Sequence, residues 1–170
     1  MRRFIYLLCT LALMVLPSAC IDEQTPPRNE VKIGDKLPDF TVTMNDGTTV
    51  TGALLRQGCS VVVFFNSGCP DCRKALPSLQ RLYEQYASQG VRFALISREE
   101  SASTIEPYWQ SSGYTMPYSA QDDRSVYELF ATSRVPRVYF SDANGRVRDI
   151  FTDDPVPTYE ELLAALLDII

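Results

Sequence analysis

Along the chain the spacing of apolar positions changes several times, and each change predicts an element. Phe40, Val42 and Met44 alternate with Thr41 and Thr43, the two-residue period of a half-buried strand. Asn45-Asp46-Gly47 is a turn signal leading to Thr48 through Thr51, so a first hairpin is expected. Val61-Val62-Val63-Phe64-Phe65 shows no alternation, as a central strand covered on both faces requires. From Pro70 the spacing turns helical through Leu76, Leu79, Leu82, Tyr83 and Tyr86, with Pro77 expected to kink the helix and Gly90 to end it. Val91, Phe93 and Leu95, interleaved with Ala94 and Ile96, predict the next buried strand.

The second half continues the alternation. Ser103-Thr104-Ile105-Glu106 has the form of a capping box opening a helix that carries Tyr108 and Trp109. A short helix over Arg124 to Ala131 follows Asp122-Asp123, and Val138 to Phe140 and Val147 to Phe151 flank Asn144-Gly145, a strong hairpin signal. Thr158 to Glu161 is a second capping box, starting a final helix with Leu162, Leu163, Leu166 and Leu167 on its apolar side. The order is β-hairpin, β, α, β, α, short α, β-hairpin, α. Such an order implies an α/β domain over residues 37–170, with a mixed central sheet, helices on its faces and no second domain.

The N-terminus follows different rules. Arg2 and Arg3 precede an apolar run from Phe4 to Leu16, followed by Ser18, Ala19 and Cys20, the layout of a secretory signal over residues 1–19. The run is short for a membrane span. A cysteine directly after a small-residue cleavage site resembles the lipobox of bacterial lipoproteins, which implies that Cys20 is lipidated and becomes the first mature residue. Pro17 stands where that pattern usually has Leu, and Leu16 is displaced by one position. The other reading is an ordinary cleaved signal in which Cys20 is incidental. Residues 20–36, with Pro26, Pro27 and no apolar period, are expected to be a lipid-anchored spacer. The expected location is the cell envelope, facing the periplasm or the cell exterior.

Composition narrows the chemistry. At 170 residues, 45% hydrophobic and 22% charged, the chain suits one compact domain plus a short appendage. A net charge of −5 leaves no electrostatic footprint for nucleic acid. Histidine is absent, which removes Cys-His pairs, Ser-His-Asp triads and ordinary histidine metal sites together. Of five cysteines, Cys9 leaves with the signal and Cys20 is expected to be acylated, leaving Cys59, Cys69 and Cys72. An odd number argues against a purely structural disulfide framework.

Cys69-Pro70-Asp71-Cys72 lies where the buried strand hands over to a helix. At a helix N-terminus the unpaired N–H groups and the positive end of the dipole stabilise a thiolate, which makes Cys69 the attacking sulfur. Pro70 fits the first helical position, where its missing N–H costs nothing. Cys72, one turn deeper, can attack a mixed disulfide and release the partner. Asp71 should oppose the thiolate, and Arg73 and Lys74 should favour it. Three competing readings are a structural disulfide, half of a zinc site, and a thiol peroxidase in which Cys69 reduces peroxide and Cys72 resolves.

Leu37-Pro38-Asp39-Phe40, the Val61 to Phe65 strand, the run from Cys69 to Pro77 and Val135-Pro136 together resemble the TlpA/ResA-like branch of the thioredoxin superfamily, a branch close to the AhpC/TSA proteins. The resemblance covers residues 37–170. It implies a thioredoxin fold with an N-terminal β-hairpin extension, and the activity of a membrane-anchored thiol-disulfide oxidoreductase, expected to act as a reductase. Carried over by position, Cys69 is the nucleophile, Cys72 the resolving cysteine, and Pro136 a cis-proline that, with Val135, would pair with an extended substrate segment. Implied partners are cysteine-containing exported proteins and a membrane electron donor; a monomer without cofactor or metal is expected. Relatives commonly carry an acid near the buried cysteine at the positions of Val63 or Ala75, and often an aromatic residue where Gly68 stands. A peroxiredoxin would need Thr or Ser at Asn66 and Pro at Val62. A lipid-anchored binding module with a structural disulfide is the alternative from another class.

Other residues are read more plainly. Cys59 is expected to be a small buried hydrophobe, and Trp109, Tyr114 and Tyr118 core or rim packing. Arg134 and Arg137 flank the expected cis-proline and either face Cys69 or lie on the surface. Asp153 and Asp154 read as a solvated turn.

Overall fold

The computed structural model describes residues 28–170. Cys20 and the expected signal lie outside the described residues. A two-stranded antiparallel sheet, β1 (Thr41–Thr43) and β2 (Thr49–Thr51), forms the expected first hairpin. A short helix, α1 (Gly52–Leu55), leads to β3 (Ser60–Phe65), whose six residues are all buried. Then follow α2 (Pro70–Tyr86), β4 (Arg92–Ser97), α3 (Ala102–Ser112), the two-residue β5 (Tyr118–Ser119) and the four-residue α4 (Ser125–Glu128). The chain ends with β6 (Arg137–Ser141), β7 (Val147–Phe151) and α5 (Tyr159–Leu167).

The main sheet runs β5-β4-β3-β6-β7. β3 is parallel to β4 and antiparallel to β6, the mixed sheet that the element order implies. Phe65 packs on Trp109 of α3, whereas Phe64 meets Tyr127 of α4 and Phe130. Successive strand residues point to opposite faces, so the sheet is covered on both sides. Each of the buried apolar side chains from Val61 to Phe65 contributes about 1.5–3 kcal/mol of transfer free energy.

Several expectations need correction. The helix after β4 starts at Ala102 with Ser101 at its cap, two residues before the expected box. Ser101 satisfies the first turn through its carbonyl, which receives the Thr104 and Ile105 N–H groups, and Glu106 instead bonds Gln110. Leu167 is 52% exposed, because only Leu162 and Leu166 of α5 turn fully to the core. The Asn144-Gly145 hairpin has a longer loop than a two-residue turn: Ser141 pairs with Val147 across a register shift, and Asp142 ties the loop by accepting the Asn144 and Arg146 N–H groups. Gly145 has φ of 71°, a left-handed conformation that glycine adopts without steric cost.

The largest correction concerns residues 28–36, expected to be spacer. They are docked on the domain through isolated bridges from Asn29 to Ala131 and from Lys36 to Arg146. Glu30 and Val31 both donate to the Phe130 carbonyl, and Val31 is buried. Main-chain hydrogen bonds need no apolar period, which is why hydropathy missed this strap.

Candidate active site

Strand register assembles the site. Phe65 ends β3 beside Ser97 of β4, and Phe64 faces Arg137 at the start of β6. The loop after β3, the loop after β4 and the segment before β6 therefore meet at one edge of the sheet. That edge holds Asn66 through Cys72, Arg98 through Glu100, and Val135-Pro136.

Cys69 is the N-cap residue of α2 and makes no side-chain cap bond; Pro70 follows at the helix start. Its backbone is extended, and the Cys69 Sγ lies 3.5 Å from the Val135 carbonyl oxygen. The Val135-Pro136 peptide is cis. Cys69 is pulled down to about 6, first by the Cys72 thiol hydrogen bond, against desolvation, and further by the N–H groups of Cys72 and Asp71. The Asp71 charge opposes this. Lys74 sits 2.8 Å from the Asp71 carboxylate and so offsets part of that opposition.

Cys72 behaves in the opposite way. It is fully buried, and that burial, followed by the Cys69 hydrogen bond and the Cys69 charge, pushes its thiol well above the ordinary value. Two features pull the other way: the Asn66 N–H donates to its sulfur at 3.4 Å, and the Arg98 charge lies nearby. One thiol of the pair is thus ready to attack at neutral pH while the other keeps its proton.

The turn into α2 is tightly specified. The Asn66 Oδ1 accepts the Gly68 N–H at 2.9 Å, and the Cys69 N–H bonds the Asn66 carbonyl at 3.1 Å. Ser67 is buried; its N–H and hydroxyl both donate to the Glu100 carboxylate. Arg73, expected to support the thiolate, instead donates to the Ser67 carbonyl at 2.6 Å and stacks 4.8 Å above the Tyr108 ring. Val63 and Ala75 are both fully buried and apolar, so neither position offers a carboxylate.

Arg137 is not a site cation. It is 2% exposed and donates to the Ser133 carbonyl, Asn29 and Tyr127. Arg134, at φ of 67°, pairs with Asp153 at 3.1 Å; Asp153 is therefore an ion-pair partner rather than part of a merely solvated turn. Trp109 and Tyr118 are buried in an aromatic cluster with the half-buried Tyr114, as expected. Cys59 is half-buried at the far end of β3, its thiol donating to the Ile169 carbonyl at 2.6 Å. The residue that sequence reasoning missed is Glu100. Its signal was a glutamate in the loop directly after a buried parallel strand, at the carboxyl edge where sites of open α/β sheets gather.

The family model for the AhpC/TSA family matches residues 33–150. The chain belongs to the AhpC/TSA family. Among curated proteins it is similar to the thiol-disulfide oxidoreductase ResA of Oceanobacillus iheyensis, with 23% identity over 155 residues, covering 88% of this chain and 81% of the relative. Among solved structures it resembles a thiol:disulfide interchange protein of the thioredoxin family from Chlorobium tepidum, with TM-score 0.70, 20% identity and coverage of 81% and 97%. A secreted disulfide oxidoreductase of Mycobacterium tuberculosis, homologous to DsbE of E. coli, gives TM-score 0.68 at 19% identity, covering 76% and 96%. The thioredoxin fold expected from the TlpA/ResA-like resemblance is the fold this AhpC/TSA member adopts.

Proposed function

We propose that this thiol-disulfide oxidoreductase works through Cys69 and Cys72 as a reductase of cysteine-containing exported proteins. The observation that supports it is the opposite titration of two thiols one helical turn apart, Cys69 down to about 6 and Cys72 well up. The Cys69 thiolate attacks a disulfide of the partner, forming a mixed disulfide and expelling one partner sulfur as a thiolate. Cys72 then passes its proton to the expelled partner thiolate and attacks the Cys69 sulfur, breaking the mixed disulfide and freeing the second partner sulfur as a thiolate. Two electrons have passed to the partner, and the Cys69–Cys72 disulfide returns to the dithiol at a membrane electron donor. With no carboxylate at Val63 or Ala75, the Asn66 N–H and the Arg98 charge are what ease the departure of the Cys72 proton.

Val135 and Pro136 form the wall against which an extended partner segment lies, the Val135 carbonyl facing the reacting sulfur. Cys20 carries the lipid that holds the domain at the cell envelope. No helix among the described residues is long and apolar enough to cross a membrane. Alkylation with mass analysis across a graded thiol buffer should reveal a two-electron transition confined to Cys69 and Cys72. A pair that stays oxidised or reduced throughout overturns the reading. Cys20→Ser should move the protein from the membrane to the soluble fraction, and an unlipidated mature N-terminus at another residue contradicts the anchor.

A further inference from the structure

Glu100 is a buried carboxylate that no step of the exchange uses. Its main chain is fixed from two sides: the Glu100 N–H bonds the Gln121 carbonyl at 2.8 Å, and the Ser97 hydroxyl donates to the Glu100 carbonyl at 3.0 Å. Its two carboxylate oxygens then take the Ser67 N–H, at 2.7 Å, and the Ser67 hydroxyl. Arg73 holds the same residue by its carbonyl. Ser67 is therefore gripped at all its polar groups, two residues before a cysteine that has no side-chain cap bond of its own. Where the Cys69 sulfur sits is decided by the backbone of the turn that leads to it.

We propose that Glu100 is a positioning residue for the reacting thiol: through Ser67 it fixes the Asn66 to Cys69 turn, and with it the place of the sulfur over the first-turn N–H groups of α2. The inference rests on the exchange reading above, but its test reads Cys69 directly and needs no turnover. A carboxylate acting through its charge opposes a thiolate, so its removal makes Cys69 more acidic. A carboxylate acting through position does the reverse, because a loosened turn moves the sulfur off its donors. The sign of the shift separates the two roles.

The experiment is the pH dependence of iodoacetamide alkylation at Cys69 in the reduced full-length protein, on a Cys59→Ser background, with the modified residue identified by mass. In Glu100→Ala the midpoint should rise by about one unit towards that of an ordinary thiol, and the thiolate fraction near pH 6 should fall about fivefold. Glu100→Gln can still accept the Ser67 N–H and donate to its hydroxyl oxygen, and should stay within about twofold of wild type. Ser67→Ala should raise the midpoint by less than Glu100→Ala, and the two changes together by less than their sum. A midpoint that falls or stays put in Glu100→Ala, or a Gln variant that behaves like Ala, overturns the proposal. Should Glu100→Ala not fold, Ser67→Ala decides, and an unmoved midpoint there overturns it equally. Wild-type Cys69 titrating as an ordinary thiol would defeat the exchange reading itself. A low wild-type midpoint with unmoved variants defeats only the role of Glu100.

Discussion

Cys59 and Cys69 stand beyond the two ends of the same buried strand, and both are half-buried, yet their thiols are driven in opposite directions. Cys59 meets an acceptor: it donates to the Ile169 carbonyl, and burial, followed by the Asp142 charge, raises its pKa. Cys69 meets donors, the Cys72 thiol and the N–H groups at the start of α2, and falls to about 6. Burial alone does not separate them. What separates them is first the Cys72 thiol, which donates to the Cys69 sulfur, and then the N–H groups at the start of α2.

The strongest way to break this contrast is to exchange the roles of the thiols. Cys69→Ser should lower the exchange rate with a small disulfide by a thousandfold or more, roughly the loss seen when a covalent nucleophile is removed, whereas Cys59→Ser should change it by about twofold at most. Cys72→Ser should leave partners trapped on Cys69, visible as mixed disulfides on a non-reducing gel. Equal losses in the Cys59 and Cys69 variants would end the distinction.

Alkylation sharpens it. With Cys69 down at about 6 and Cys59 pushed up by burial, the thiolate fractions differ most at low pH, while the more basic thiolate is the better nucleophile. Cys69 should therefore react faster than Cys59 near pH 5, by a margin that narrows towards pH 7. Reaction with iodoacetamide followed by peptide mass analysis measures both ratios at once.

Stability should carry the same signature. A thiol whose folded pKa is depressed adds stability that is fully present above its unfolded value and is lost as pH falls through its folded value. For Cys69 that window runs from about 9 down to about 6. The melting temperature of the reduced protein relative to Cys69→Ser should thus widen from pH 6 to 9. Solvent contact at this half-exposed group keeps the gain well below the full linkage value. Cys72, raised in the fold, acts with the opposite sign, so the gain should shrink again above pH 9.

The smallest effect is expected at the acceptor side. Thr158 caps α5 in a complete capping box, and α5 leads into Ile169, the partner of Cys59. Thr158→Ala should cost about 1 kcal/mol in urea unfolding and make Cys59 slightly more reactive, with Cys69 unmoved. A parallel change at Cys69 would mean that the two strand ends are coupled.

Local signals made most of this fold legible in the sequence. β3 was evident from five consecutive apolar residues, α2 from its period and Pro70, α5 from its capping box, and the proposed reacting pair from its spacing. Long-range pairing left no such trace. The two residues of β5 are too few to show a period, and only their pairing with Leu95 and Ile96 makes them a strand. Arg137 reads from sequence as either a cation facing Cys69 or a surface residue, and is neither, because its partners are a carbonyl and residues far away in sequence. Glu100 was overlooked for the same reason: its partner, Ser67, is separated from it by a whole helix and strand.

The docked strap sets a reach for the whole molecule. With the lipid proposed on Cys20 and the chain fastened to the domain from Arg28, only residues 21–27 remain between them. Eight Cα steps extend at most about 29 Å, so the leash is short. The enzyme could then sweep only a thin shell above its membrane, and Asn29, at the domain end of that leash, bonds Arg137 next to Pro136. A partner would have to bring its disulfide down into that shell.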